Sequence, residues 1–189
     1  RNGRLTVEAI HAVLEADVTM EGGEVSSVRL SMGAPRFAPK DVPVLAEMLP
    51  VVDFGLRVAD QTFLVTCLSM GNPHAVMFID YAVQQYPLER TGPLVENHPA
   101  FPARVNFGVA RMLDNARMEL RVWERGVGET LACGSGCCAA VVAARLKEMA
   151  GERVEVLQPG GPLTVEWDGR GDVYLSGPAQ FVFEGDWPD

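Results

Sequence analysis

Apolar and polar residues alternate along much of this chain. Val25-Ser26-Ser27-Val28-Arg29-Leu30-Ser31-Met32 has the period of a half-buried strand. Similar strands are predicted over residues 63–68, 75–78, 105–110, 117–123, 153–158, 163–167, 172–176 and 181–184. Asp168-Gly169-Arg170-Gly171 places a turn between two of them. Helices are few. Asp41 can cap one over 44–49, with Pro43 in its first turn. Asp80 can cap another that reaches toward Arg90 and stops at Gly92-Pro93. The longest is predicted over 135–149, with Gly151 near its end. Its first two turns are apolar on nearly every side, so it needs to be enclosed. Many strands around one central helix is an α+β arrangement. No linker, low-complexity tract or repeat divides the chain.

Composition narrows the function classes. Of 189 residues, 48% are hydrophobic, enough for a real core. A net charge of −9 argues against nucleic-acid and anionic-membrane partners. The apolar runs are far short of a membrane span, and no secretory signal is visible. Cys133, Cys137 and Cys138 crowd together, which does not suit a disulfide framework. A reducing, cytoplasmic setting is the simpler expectation.

Candidate chemistry gathers in three places. Cys133-Gly134-Ser135-Gly136 follows a polar, Gly-rich turn and opens the long helix. Unpaired N–H groups and the positive end of the helix dipole meet there. That setting favours a thiolate and captures a carboxylate, so Cys133 is expected to be the most thiolate-like cysteine. A tight turn with inert buried cysteines explains the same residues equally well. Gly71-Asn72-Pro73-His74 lies between two strands. Asn72 offers a donor and an acceptor, and His74 can share a proton near neutrality. An Asn-Pro turn with an incidental His is the commoner origin of such a tetrapeptide. Asn106 is a polar residue in a strand, and Glu124-Arg125 could clamp an amino acid or be a solvated surface pair. A metal site at Cys133-x3-Cys137 would have only Cys67 and scattered histidines to complete it, so none is expected.

Taken together and in order, these segments resemble diaminopimelate epimerases over essentially the whole chain. The resemblance is carried by Met70-Gly71-Asn72-Pro73-His74, Arg104-Val105-Asn106-Phe107 and Glu124-Arg125-Gly126-x-Gly128-Glu129-Thr130-x-Ala132-Cys133-Gly134-Ser135-Gly136. Gly33-Ala34-Pro35 and Gly160-Gly161 fall in comparable turns. The resemblance implies two pseudo-symmetric domains, each a set of strands around a central helix, closing over the substrate. Each domain supplies one cysteine. The reaction implied is interconversion of LL- and meso-diaminopimelate, a lysine and peptidoglycan precursor, without cofactor or metal. It assigns catalysis to Cys133, to Glu124 as its partner, and to His74 serving the opposite cysteine. It assigns substrate binding to Asn72, Asn106, Glu124, Arg125, Gly134 and Ser135.

Nothing here matches the family's Cys-Gly-Asn-Gly motif, which carries the other cysteine, and the chain begins at Arg1. The expectation is therefore a fragment that does not epimerise alone. Residues 1–32 would be a remnant of the N-terminal domain, 33–176 the C-terminal catalytic domain, and 177–189 a closing strand returning to the N-terminal domain. Expected partners are the small-molecule substrate and either a second copy of the chain or the missing N-terminal half. Two other readings stay open: a related racemase or isomerase of the same fold, such as a proline-racemase-like or phenazine-biosynthesis-like enzyme, and a non-catalytic substrate-binding fragment.

Overall fold

Alternating strands need ladder partners, and the computed structural model supplies them in one continuous sheet. It describes residues 3–9 and 12–186. The strands are β1 (Gly3–Ala9), β2 (Ala12–Glu21), β3 (Glu24–Ser31), β4 (Val51–Val58), β5 (Gln61–Ser69), β6 (Pro73–Phe78), β7 (Asn106–Asp114), β8 (Arg117–Glu124), β9 (Gly128–Thr130), β10 (Arg153–Gln158), β11 (Gly161–Glu166) and β12 (Tyr174–Gly177). Among the described residues their order is β1-β2-β3-β12-β11-β10-β8-β7-β6-β5-β4, with β9 beside β8. Among the described residues, only β6–β7 and β8–β10 are parallel. Parallel neighbours need a crossover. Helix α1 (Leu88–Glu96) lies in the first and α2 (Gly134–Leu146) in the second. The α+β expectation therefore holds.

The sheet wraps around α2, which packs against β5 to β8, β11 and β12. Every residue from Gly136 to Ala144 is buried. Only small side chains occur in that run, so strands can approach from several sides. This core also contains Leu68, Val76, Leu120, Val122, Val154 and Val165. A second core, with Leu56, Phe63, Val65, Phe101 and Phe107, lies apart from it. Strand β6 is buried along nearly its whole length, and its sequence is apolar rather than alternating.

Several local expectations are corrected. No helix forms over 44–49. Asp41 instead belongs to the short 3-10 turn Pro39–Asp41, and the Leu45 amide bonds to the Ala100 carbonyl, outside any helical ladder. The second helix starts at Leu88 and runs through Gly92-Pro93 rather than stopping there. Gly92 is present because Trp123 lies against it: an added Cβ would sit 2.4 Å from the indole. The central helix ends at Leu146. Glu148 takes a left-handed φ of 57°, and the Met149 amide reaches back to the Ala144 carbonyl. That is a Schellman closure, made without glycine. Residues 181–184 form no strand, because no described neighbour offers them a ladder; Phe181, Val182 and Phe183 are exposed. Strand β4 went unread because a register shift between Val51 and Phe54 breaks its alternation. No described helix is long and apolar enough to cross a membrane.

Candidate functional site

The topology brings three sequence-distant segments to one end of the sheet. His74 in β6 and Asn106 at the start of β7 are register partners on parallel strands. Glu124 closes β8, and β8 runs antiparallel to β7. The N-terminus of α2 meets them there.

Cys133 is the N-cap of α2, and its Sγ accepts the Gly136 N–H at 3.3 Å. Gly136 leaves room for the sulfur: an added Cβ would lie 3.1 Å from Cys133 Sγ and 2.9 Å from Val122 Cγ2. Of the four amides at the helix start without a helical partner, two are thus occupied, Cys133 by Gln158 Oε1 and Gly136 by the sulfur. Among the described residues the Gly134 and Ser135 amides have no partner, leaving two aligned donors.

A chain of hydrogen-bond contacts leads to the thiol. His74 Nε2 lies 2.9 Å from Asn72 Oδ1, Asn72 Nδ2 donates to Ser135 Oγ at 3.3 Å, and Ser135 Oγ is 3.7 Å from Cys133 Sγ. Since Asn72 Oδ1 only accepts, Nε2 carries the ring proton. Burial, with Arg125 adding to it, pulls the His74 pKa down to about 3, so the ring is neutral at physiological pH.

A second framework fixes the Glu124-Arg125 turn. Asn106 Nδ2 donates to the Pro73 carbonyl at 2.9 Å, and its Oδ1 accepts the Arg125 amide at 2.8 Å. Arg125 Nη1 bonds to the Ala103 carbonyl at 3.0 Å. All eight predicted positions thus meet in one region.

The expected thiolate is not what the site favours. Burial pushes the Cys133 pKa up; Ser135 and Gly136 pull it back, and the Glu124 carboxylate pushes it up again. The helix start does not offset desolvation. Cys67, Cys137 and Cys138 are also raised, chiefly by burial, and are fully inaccessible, whereas Cys133 keeps 7% exposure. All four cysteines are free. Among the described residues, no cluster of three or more His, Cys, Asp or Glu is arranged to hold a metal ion.

Sequence reasoning missed two supports. Gln158 Oε1 accepts the Cys133 amide at 2.9 Å, and Thr130 Oγ1 donates to Glu124 Oε1 at 2.5 Å. Thr130 lay inside the quoted motif and was available as a signal; Gln158 stood beside the Gly160-Gly161 turn with nothing in its local pattern to mark it. A cleft of about 1280 Å³ is lined by Asn72 and Ser135 together with Arg29, Asp172 and Tyr174.

A strand-wrapped helix with this outline is known in solved structures of an epimerase and a biosynthetic protein. A hydroxyproline epimerase from Agrobacterium vitis superposes with a TM-score of 0.63 at 17% identity, over 94% of this chain and 56% of its own. A phenazine biosynthesis protein from Bacillus anthracis gives 0.56 at 16% identity, over 94% and 66%. At such identities the likeness establishes the fold alone. Sequence goes further. Residues 66–182 match the family described as Diaminopimelate epimerase. Diaminopimelate epimerase of Methanococcus maripaludis (strain C6) is 41% identical over 183 residues, and that of Moorella thermoacetica 42% over 185, covering 96% and 97% of this chain. The chain belongs to the diaminopimelate epimerase family. It spans 66% of the length of both relatives.

Proposed function

We propose that this chain carries one acid/base half of a cofactor-independent diaminopimelate epimerase, with Cys133 as the group that exchanges the α-proton on one face of the substrate. The observation that carries this reading is the pairing of the Cys133 thiol with two unpartnered amides, Gly134 and Ser135, at the start of α2. Those amides and the helix dipole suit the reacting carboxylate. Negative charge that develops on it as the α-C–H bond breaks would be stabilised where it forms. The electron pair left on the α-carbon delocalises into that carboxylate, and the proton passes to Cys133 Sγ. Glu124, beside the thiol, takes the thiol proton beforehand and so prepares the base. Asn72 and the Arg125 guanidinium would hold the distal amino-acid group, and Asn106, its amide committed to the Pro73 carbonyl and the Arg125 N–H, sets the Arg125 turn. His74, neutral and committed to Asn72, orients that amide rather than moving protons itself. Inversion requires a second acid/base group on the opposite face. In the cell the product would feed lysine and peptidoglycan synthesis.

Limited alkylation with iodoacetamide under reducing conditions, followed by peptide mapping, tests the site. Cys133 is expected to react first, and meso-diaminopimelate to slow it more than lysine, which lacks the second carboxylate. Faster labelling of Cys67 or Cys138, or equal protection by both ligands, rejects the assignment.

A further inference from the structure

The Glu124-Arg125 turn is held by more than its own bonds. Glu96, the last residue of α1, is 6% exposed. Its Oε1 accepts Arg104 Nη1 at 3.3 Å and the Gly126 amide at 2.8 Å, and its Oε2 accepts Trp123 Nε1 at 2.8 Å. Arg104 lies two residues before Asn106. Trp123 and Gly126 flank Glu124 and Arg125 on either side. One buried carboxylate therefore ties the approach to β7 to both ends of the turn. Arg104 is half-exposed, so its ion pair adds little by itself. The backbone and indole donors are what make the burial of this group affordable. Both are on the turn, and the Gly92 contact seats the indole against α1.

We propose that Glu96 is a positioning residue for the Arg125 turn. It fixes Glu124 and Arg125 against Asn106 and so sets affinity for the distal half of the substrate without touching it. The substrate clause rests on the reading above that Arg125 holds substrate; the positional clause does not.

The test uses the full chain as wild type, Glu96→Gln and Trp123→Phe. Glutamine keeps the shape but points an NH2 either at the indole or at the Gly126 and Arg104 donors. Trp123→Phe removes one donor and leaves the bonds to Gly126 and Arg104. Glu96→Gln is expected to speed hydrogen exchange at the Arg125 and Gly126 amides. It should weaken meso-diaminopimelate binding by about tenfold in calorimetry while Cys133 alkylation keeps its rate and pH profile. Trp123→Phe should lose less affinity. Unchanged exchange at Gly126 in Glu96→Gln overturns the proposal. So does an equal affinity loss in Trp123→Phe, or loss of the Cys133 profile together with affinity. If the wild type does not bind meso-diaminopimelate, the role given to Arg125 falls, and exchange alone decides whether Glu96 holds the turn.

Discussion

Protonating the unfolded chain at His74 should cost the folded state a predictable amount. In the fold this ring is 1% exposed with a pKa of about 3, against 6.5 for the free side chain. The pKa is lowered, so both states are almost wholly neutral well above pH 6.5 and little stability is lost there. Below 6.5 the unfolded chain binds a proton that the folded chain refuses, and stability falls until the pH reaches about 3. Linkage gives about 0.2 kcal/mol lost at pH 7 and about 2 kcal/mol at pH 5. The pH 5 figure depends almost entirely on the unfolded pKa, so it holds for any folded value below about 4. His74→Gln removes the titration and keeps a donor for Asn72. Urea unfolding at pH 7 and pH 5 should show the wild type losing about 2 kcal/mol more than His74→Gln between the two. The substitution's own packing cost enters equally at both pH values and cancels. An equal loss in the two proteins would refute the claim that the ring is buried neutral.

Two further outcomes follow from the geometry. Gly92→Ala gains about 1 kcal/mol of helix propensity but drives a methyl into the Trp123 ring, so a net destabilisation of about 1–2 kcal/mol is expected in chemical unfolding. Arg125→Ala should weaken meso-diaminopimelate binding by about 10–100-fold, and Arg125→Lys by less, because lysine keeps the charge and loses the fork; calorimetry showing the reverse order would remove Arg125 from the clamp.

Much of this site could be read from the chain because its residues lie in short contiguous motifs. Cys133 to Gly136 announces a helix start by itself, and Asn72-Pro73-His74 and Glu124-Arg125 stand at strand ends, where side chains converge. What could not be read depends on contacts between segments. Glu96 was invisible because Gly92-Pro93 looked like a helix stop, whereas the helix runs on to Glu96 and Gly92 serves the close approach of the Trp123 ring. Gln158 reaches Cys133 through the β10–β11 turn, a relation that no local pattern encodes. The ionisation of Cys133 was misjudged for the same reason: the helix start is local, whereas the desolvation that outweighs it comes from the whole enclosing sheet. Residues 181–184 carry apolar positions fit for a strand, yet no described strand pairs with them.

The central claim is that Cys133 exchanges the α-proton on one face of diaminopimelate. Its most direct test is incubation of this chain and Cys133→Ala with LL- and meso-diaminopimelate in D2O, with α-deuteration and configuration followed together. A single acid/base group returns a proton to the face it left, so wild type should incorporate α-deuterium with retained configuration and Cys133→Ala should incorporate none above background. Incorporation that survives Cys133→Ala, no incorporation by the wild type, or inversion by this polypeptide alone would contradict the account.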